Sequence, residues 1–258
     1  MVSSEIICVS NTIASTGTRA ASGGPQRSPW LPKEIQAVTD AQSVAGVQVW
    51  YVSHFSGHHV PSRPRSFDAD RAEFAHIRHA ALRERSLTTR ALLRRALSEV
   101  VDMKTKPGEW VFERGDAGKP TLVAGQFPRG SFSCSHTLWA SAVAVSTNFE
   151  VGIDIESCSF AADTCFVTSF FSLREQRLIG ALQGVERAAA VARLWTLKEA
   201  YVKLLGTGLA DDISKLDFHF ASGSNIRHHP ETQDAKLYSW QVGCNGEPLA
   251  VALAVRRG

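Results

Sequence analysis

The sequence predicts an α+β chain in two halves, and three observations carry that prediction. Strand patterns and long helical patterns are interspersed, and the second half repeats the first half's theme of helices followed by strands. The 258 residues suit one large domain or two of about 100–130 residues. The halves meet near Asn148–Glu150, between two strand patterns in hairpin relation. The expected organisation is an N-terminal extension over 1–40, a first lobe over 41–148 and a second over 149–258.

Residues Asn11–Ser28 are rich in Ser, Thr, Gly and Ala, contain Arg19 and Arg27 and lack acids, a composition that faintly resembles a transit peptide. A flexible extension without a part in the chemistry fits it better. The segment G-V-Q-V-W-Y-V-S-H ending at His54 reads as a first strand, followed by a Pro/Arg loop over Val60–Arg65. From Asp70 to Val101, Phe74, Ile77, Ala81, Leu87, Leu92, Ala96 and Val100 recur near a 3.6 period, predicting helix. A break is expected at Arg85–Thr88, with Thr88 as an N-cap. Strands are expected at Trp110–Phe112, Ser131–Ser135, Ala140–Ser146 and Val151–Ser157.

Ser172-Leu-Arg-Glu175 spells a capping box and predicts a helix to about Leu182. A longer helix runs from about Val185 to Leu205 and stops at Gly206. The last strands, Ala235–Val242 and Pro248–Val255, flank the hairpin turn Asn245–Gly246.

Composition narrows the function classes. With 44% hydrophobic and 21% charged residues the chain is globular, and a net charge of +3 is too small to indicate nucleic acid. Positive residues from Arg63 to Lys106 outnumber acids, which suits either a basic surface for phosphate or an acidic partner, or a solvated helix face with ion pairs. The five cysteines contain no C-x-x-C pair, so neither a disulfide framework nor zinc is indicated, and a reducing cytoplasm fits best. No apolar run is long enough to span a membrane.

Four short segments carry chemistry. In Val151-Gly-Ile-Asp-Ile-Glu156, strand alternation puts Ile153 and Ile155 on one face and Asp154 and Glu156 on the other, roughly 6.5–7 Å apart at Cα. Two such carboxylates can share a hard cation, Mg²⁺ above all. A D-x-E strand by itself fits a plain solvated face better. In Trp195-Thr-Leu-Lys-Glu-Ala-Tyr-Val-Lys203, helical spacing aligns Trp195, Glu199 and Lys203, with Lys198 at the stripe's edge. This segment alone also fits a surface Glu–Lys pair. Ser133-Cys-Ser-His-Thr137 offers Ser135 and His136 to a phosphate oxygen, while adjacent residues of a strand face opposite ways and make a poor Ser–His dyad. Gly118-Lys119-Pro120 presents a single ammonium at a turn.

Taken in order, G-K-P, F-S-C-S-H-T, V-G-I-D-I-E and W-T-L-K-E-A-Y-V-K resemble the Sfp-type 4′-phosphopantetheinyl transferases. Both halves of a signature similar to (I/V)-G-(I/V)-D-x-E and (F/W)-x-x-K-E-(A/S)-x-x-K match at every defined position. The resemblance is specific over Trp110–Phe220 and omits the N-terminal extension. It implies two pseudo-symmetric α+β lobes with coenzyme A in the cleft between them. It further implies Mg²⁺ held by Asp154, Glu156 and Glu199, and transfer of the phosphopantetheine arm to a carrier-protein serine with release of 3′,5′-ADP. Glu199 is the candidate base, and whether it is instead a direct metal ligand stays open. Lys203 would steady phosphoryl charge, helped by Asp154's metal and by Lys198 on phosphate. Lys119, Pro120, Ser135 and His136 match coenzyme A positions, and Arg85 and Ser86 align with the 3′-phosphate contacts. Upstream lysines of some relatives are replaced near Asp70 and Glu73, with Arg71 or Arg78 as substitutes.

The implied partner is an acyl or peptidyl carrier protein of fatty-acid, polyketide or nonribosomal-peptide type, met by a monomer. Phe166, Phe170 and Phe171 fit either part of that docking surface or a buried aromatic cluster. Two other classes compete. An inactive coenzyme A-binding module would usually lose an acidic ligand or the K-E-x-x-x-K helix, and all five residues are present. A magnesium-dependent phosphodiesterase or nuclease leaves G-K-P and S-H-T unexplained.

Overall fold

A computed structural model describes residues 47–54, 67–101, 104–115, 119–128, 130–160, 162–208, 213–220, 226–228 and 234–258. The N-terminal extension, the Val60–Arg65 loop and Gly118 lie outside them.

The strands are β1 (Val47–Ser53), β2 (Phe112–Arg114), β3 (Pro120–Leu122), β4 (Ser131–His136), β5 (Ala140–Ser146), β6 (Phe149–Ser157), β7 (Phe218–Phe220), β8 (Ile226–His228), β9 (Ala235–Cys244) and β10 (Glu247–Arg257). The α-helices are α1 (Asp68–Glu73), α2 (Ala80–Val101), α3 (Thr164–Phe170), α4 (Leu173–Gly180) and α5 (Gly184–Leu205). Two three-stranded antiparallel sheets dominate, ordered β1-β5-β4 and β6-β10-β9. Each opens with its first strand, passes through a 22-residue helix, and closes with a hairpin whose last strand pairs with the first. The fold is α+β with two similar lobes.

Alternation along the strands makes the layers. Val47, Val49, Ala142 and Ala144 of the first sheet meet Val151, Ile153, Leu249 and Val251 of the second in one core. The opposite face of the first sheet, with Trp50, Val143 and Val145, packs on Leu92, Leu93 and Leu97 of α2. The opposite face of the second sheet, with Ala252 and Ala254, packs on Leu194, Leu197 and Ala200 of α5. The order through the molecule is therefore helix, sheet, sheet, helix.

Most elements follow their sequence signals. The Ser172–Glu175 capping box is formed in both directions. Gly206 ends α5 at φ 73°, and Asn245 and Gly246 turn the last hairpin at φ 50° and 81°. The break expected at Arg85–Thr88 is absent, since α2 runs through it. The hydroxyls of Ser86 and Thr89 donate to the carbonyls of Leu82 and Arg85 four residues back, so they are satisfied inside the helix. The chain breaks earlier, at Ile77, whose ψ of 104° is extended. The strand expected at Trp110–Phe112 begins only at Phe112, because Pro107–Glu109 forms a 3₁₀ turn. Helix α3, capped by Asp163, was not anticipated.

Part of the basic stretch is interior. Arg94 forks onto Asp70 with bonds of 2.8 and 2.7 Å, and Arg90 forks onto Glu73 at 2.7 and 3.0 Å. Arg94 is 3% and Asp70 1% exposed. Both guanidinium groups also lie against the Phe112 ring. Asp70 and Glu73 thus tie α1 to α2 through buried arginines. Phe166, Phe170 and Phe171 likewise belong to the core: Phe171 is buried, and the other two pack on Trp195.

Candidate active site in the cleft between the sheets

The edge strands β4 and β6 run beside each other without backbone pairing. Three serines on one face of β4 bridge them instead. Ser131 Oγ and Ser133 Oγ accept from the amides of Val151 and Ile153, at 3.2 and 3.1 Å. Ser135 Oγ donates to Asp154 Oδ1 at 2.7 Å. The serine at every second position leaves the two sheets separate yet aligned, and it carries Asp154 to the seam.

On β6, Val151, Ile153 and Ile155 fill the core between the sheets, so Gly152, Asp154 and Glu156 face the other way. Gly152 has a packing reason. A Cβ there would lie 2.0 Å from the Ala200 carbonyl oxygen and 2.5 Å from the Leu204 amide nitrogen. Only glycine lets α5 approach β6 this closely. That approach delivers Lys203, whose Nζ donates to Asp154 Oδ1 at 2.6 Å.

Charge is concentrated here. Burial raises the Glu199 carboxyl, and Asp154's charge raises it further against the pull of Lys203. Glu199 Oε1 is buried without a hydrogen-bond partner. Glu156 is also raised, first by burial and then by Asp154, although its Oε1 accepts from the Ser157 amide at 2.8 Å. Burial alone would lower the Lys203 ammonium, but Asp154 and Glu199 outweigh it and raise it. Asp154 Oδ1 is thus shared by a hydroxyl and an ammonium, while its acidic neighbours are held above their usual range.

A cleft of about 340 Å³ opens beside these groups, lined among others by Lys119, Pro120, Ser133, Glu199, Lys203 and Gly206. Lys119 Nζ donates across it to the Lys203 carbonyl at 2.8 Å, near the C-terminal end of α5. Burial lowers the Lys119 ammonium. At the outer end of β4, burial together with His54, Arg85 and Lys203 lowers His136 to about 4. Arg85 Nε is buried without a partner. A ring of cationic or cation-ready groups with an unpaired donor suits an anion.

The structure therefore brings Asp154, Glu199, Lys203, Lys119, Pro120 and Ser135 together, with His136 and Arg85 adjoining one another. Ser86 does not join them, since its hydroxyl donates within α2. Lys198 is a correction. It is fully buried on another side of α5, ion-paired to Glu175 at 2.8 Å, and cannot reach a phosphate in the cleft. The i, i+1 step to Glu199 turns about 100° around a helix, which is why the two diverge. His54, missed in the sequence, orients beside His136 by bonds to the Leu138 carbonyl and Ser141 Oγ. Its only signal was a histidine at the end of the first strand.

Among the described residues, no three His, Cys, Asp or Glu converge into a metal cage as they stand. The donor set still suits a hard cation. Glu156 and Glu199 are each pushed up by Asp154, and Glu199 keeps an orphaned oxygen.

Known proteins place the chain. Residues 150–254 match the 4′-phosphopantetheinyl transferase superfamily. The 4′-phosphopantetheinyl transferase AcpT of Escherichia coli is 33% identical over 147 residues, covering 57% of this chain and 69% of AcpT. The chain belongs to the 4′-phosphopantetheinyl transferase superfamily. The transferase HetI of a Nostoc species is 31% identical over 131 residues, 50% of this chain and 54% of HetI. The L-aminoadipate-semialdehyde dehydrogenase-phosphopantetheinyl transferase of Eremothecium gossypii is 34% identical over 139 residues, 52% of this chain and 50% of its own. Apart from AcpT, the chain spans about half the length of these curated relatives. The superfamily match starts at Glu150, so it takes in the whole V-G-I-D-I-E strand and all of α5. Lys119, Ser135 and His136 lie before it.

Proposed function

We propose that this chain transfers the 4′-phosphopantetheine group of coenzyme A to a serine of an acyl or peptidyl carrier protein, releasing 3′,5′-ADP. The observation that carries the reading is the meeting of Asp154, Glu199 and Lys203 at one end of a cleft whose far wall presents Lys119. Acids alone would repel a diphosphate; acids interleaved with lysines, and able to share a divalent cation, would hold one.

Asp154 and Glu156 would hold Mg²⁺, with Glu199 close by. Bound there, the ion would neutralise the diphosphate and the charge that develops on the leaving 3′,5′-ADP. The remaining work falls to side chains. Lys203 moves its donor from Asp154 towards the phosphoryl oxygens as charge builds on them. Lys119 offers a second ammonium to the diphosphate. His136, His54 and Arg85 suit the 3′-phosphate, whose arrival favours protonation of the two imidazoles. Glu199 takes the proton of the attacking serine hydroxyl through its free Oε1, and burial beside Asp154, which raises its carboxyl, makes it a stronger base than a free carboxylate. The nucleophile belongs to the carrier, which explains why the cleft needs no serine of its own for attack.

Intact-mass spectrometry of apo acyl- and peptidyl-carrier proteins with this chain, coenzyme A and Mg²⁺ tests the proposal. The expected result is a gain of one phosphopantetheine on a carrier, abolished by EDTA and by Asp154→Ala. Coenzyme A binding without transfer to any carrier would instead support the inactive module.

A further inference from the structure

Helix α5 supplies Glu199 and Lys203, so its rotation about its own axis decides whether either faces the cleft. A narrow apolar stripe usually sets that rotation. On α5 the buried apolar residues go most of the way round: Val191, Ala192, Leu194, Leu197, Ala200 and Val202 are all interior. Apolar burial therefore drives α5 inward without a narrow stripe to set its rotation, which is left to specific contacts such as the approach of Ala200 and Leu204 to Gly152.

Lys198 adds a buried polar directional contact to the steric one that Gly152 makes with Ala200 and Leu204. It is 0% exposed, and its Nζ reaches Glu175 Oε2 at 2.8 Å, the Ile213 carbonyl at 3.1 Å and the Leu216 carbonyl. The rings of Phe171 and Phe218 lie 5.6 and 5.8 Å from it. Glu175, 1% exposed, accepts from the amides of Ser172 and Phe218 at 2.8 and 2.9 Å. It is thereby fixed both to the N-terminus of α4 and to β7. Any other rotation of α5 would strand a buried ammonium and a buried carboxylate, a cost that apolar packing alone does not impose. Because Lys198 and Glu199 are consecutive, setting one sets the other.

We infer that the Lys198–Glu175 ion pair is a registry pin: a pair of positioning residues that aims Glu199 and Lys203 into the cleft and does not touch coenzyme A. The inference rests on the proposed reading of Glu199 and Lys203 as the working residues of the transfer.

The test removes both charges at once, by Lys198→Met with Glu175→Gln, because Lys198→Met alone would leave an uncompensated buried carboxylate and unfold the chain. The double variant is expected to fold and to bind one coenzyme A with Kd within threefold of the parent. Its kcat per coenzyme A site should fall at least tenfold, with the KM for coenzyme A unchanged. A raised KM with intact kcat would make Lys198 a ligand contact and overturn the pin, as would an unchanged kcat. A second readout needs no turnover. Glu199→Cys is introduced with and without the pair, and its alkylation by iodoacetamide is followed by peptide mass. A tenfold or greater change in rate is expected, and equal rates refute the pin. Should the parent chain modify no carrier, the transferase reading fails while the labelling still decides the pin.

Discussion

Gly152→Ala adds one methyl group where β6 and α5 touch. The new Cβ would sit 2.0 Å from the Ala200 carbonyl oxygen and 2.5 Å from the Leu204 amide nitrogen, both of them backbone atoms that no rotamer change can move. Carbon–oxygen contacts settle at roughly 3.3–3.6 Å. Helix or strand must therefore yield by about 1.3 Å along that line, the difference between 3.3 and 2.0. Ala200 and Leu204 immediately follow Glu199 and Lys203, so the displacement passes directly to the two side chains that meet Asp154. Overpacking of this kind costs about 1–3 kcal/mol, or about 2–12 °C in Tm for a chain of this size. The functional loss should be larger in proportion, since a misplacement of about 1 Å can cost on the order of 10²-fold in rate. Thermal unfolding together with carrier modification by intact mass measures both. Coenzyme A affinity should fall much less, because Lys119, His136 and Arg85 belong to the other lobe. A Gly152→Ala protein with a rate within threefold of the parent and a Tm within about 1 °C would refute the close approach and the placement of Lys203 that depends on it.

Three further outcomes are expected. Asp70→Asn leaves Arg94 buried without a carboxylate and Arg90 with Glu73 alone and should cost about 3–5 kcal/mol, read as a lowered denaturant midpoint with unchanged m. Acid should destabilise the chain through His136. Its folded pKa of about 4 lies below the unfolded 6.5, so the unfolded state binds the extra proton and stability falls as pH drops from about 6.5 to 4. The full shift corresponds to about 3 kcal/mol, nearer 1–2 after screening at a partly exposed ring, and His136→Gln should flatten the Tm profile in that window. Lys119→Met should raise the KM for coenzyme A about tenfold with a smaller change in kcat, and a loss confined to kcat would count against a diphosphate contact.

The sequence shows the second lobe more legibly than the first, for a physical reason. Its helices carry their own punctuation: the Ser172–Glu175 box, Gly206 and Asn245–Gly246 are local signals that packing does not override. In the first lobe the burial of the helix's arginines is decided by side chains distant in sequence. Arg90 and Arg94 read as surface charge along α2, and only the return of Asp70 and Glu73 from α1 makes them interior. At the candidate site, strand alternation put Asp154 and Glu156 on one face of β6 and the K-E-x-x-x-K spacing put Glu199 and Lys203 on one stripe of α5, and the structure sets Lys203 against Asp154. Lys198 was misplaced because the stripe gave its angular position on α5 without saying which neighbours lay there; Glu175 is 23 residues away. His54 was harder still, since its meeting with His136 and Arg85 needs the first strand, α2 and β4 assembled.

The serine ladder bears on why the candidate active site sits at this seam. Two exposed edge strands side by side would ordinarily zip into one continuous sheet. Here Ser131 and Ser133 satisfy the amides of Val151 and Ile153 through side chains, so the edges are capped without being fused. A hydroxyl bridge holds the strands farther apart than a backbone ladder would, and the space continues into the cleft beyond Ser133. At the third rung the partner changes from an amide to the Asp154 carboxylate, which a backbone ladder could not have addressed. The seam thus ends in a carboxylate held from one lobe by Ser135 and from the other by Lys203. Any relative movement of the lobes must alter the charge environment of Asp154, so the cleft's shape and its electrostatics are set by the same bonds.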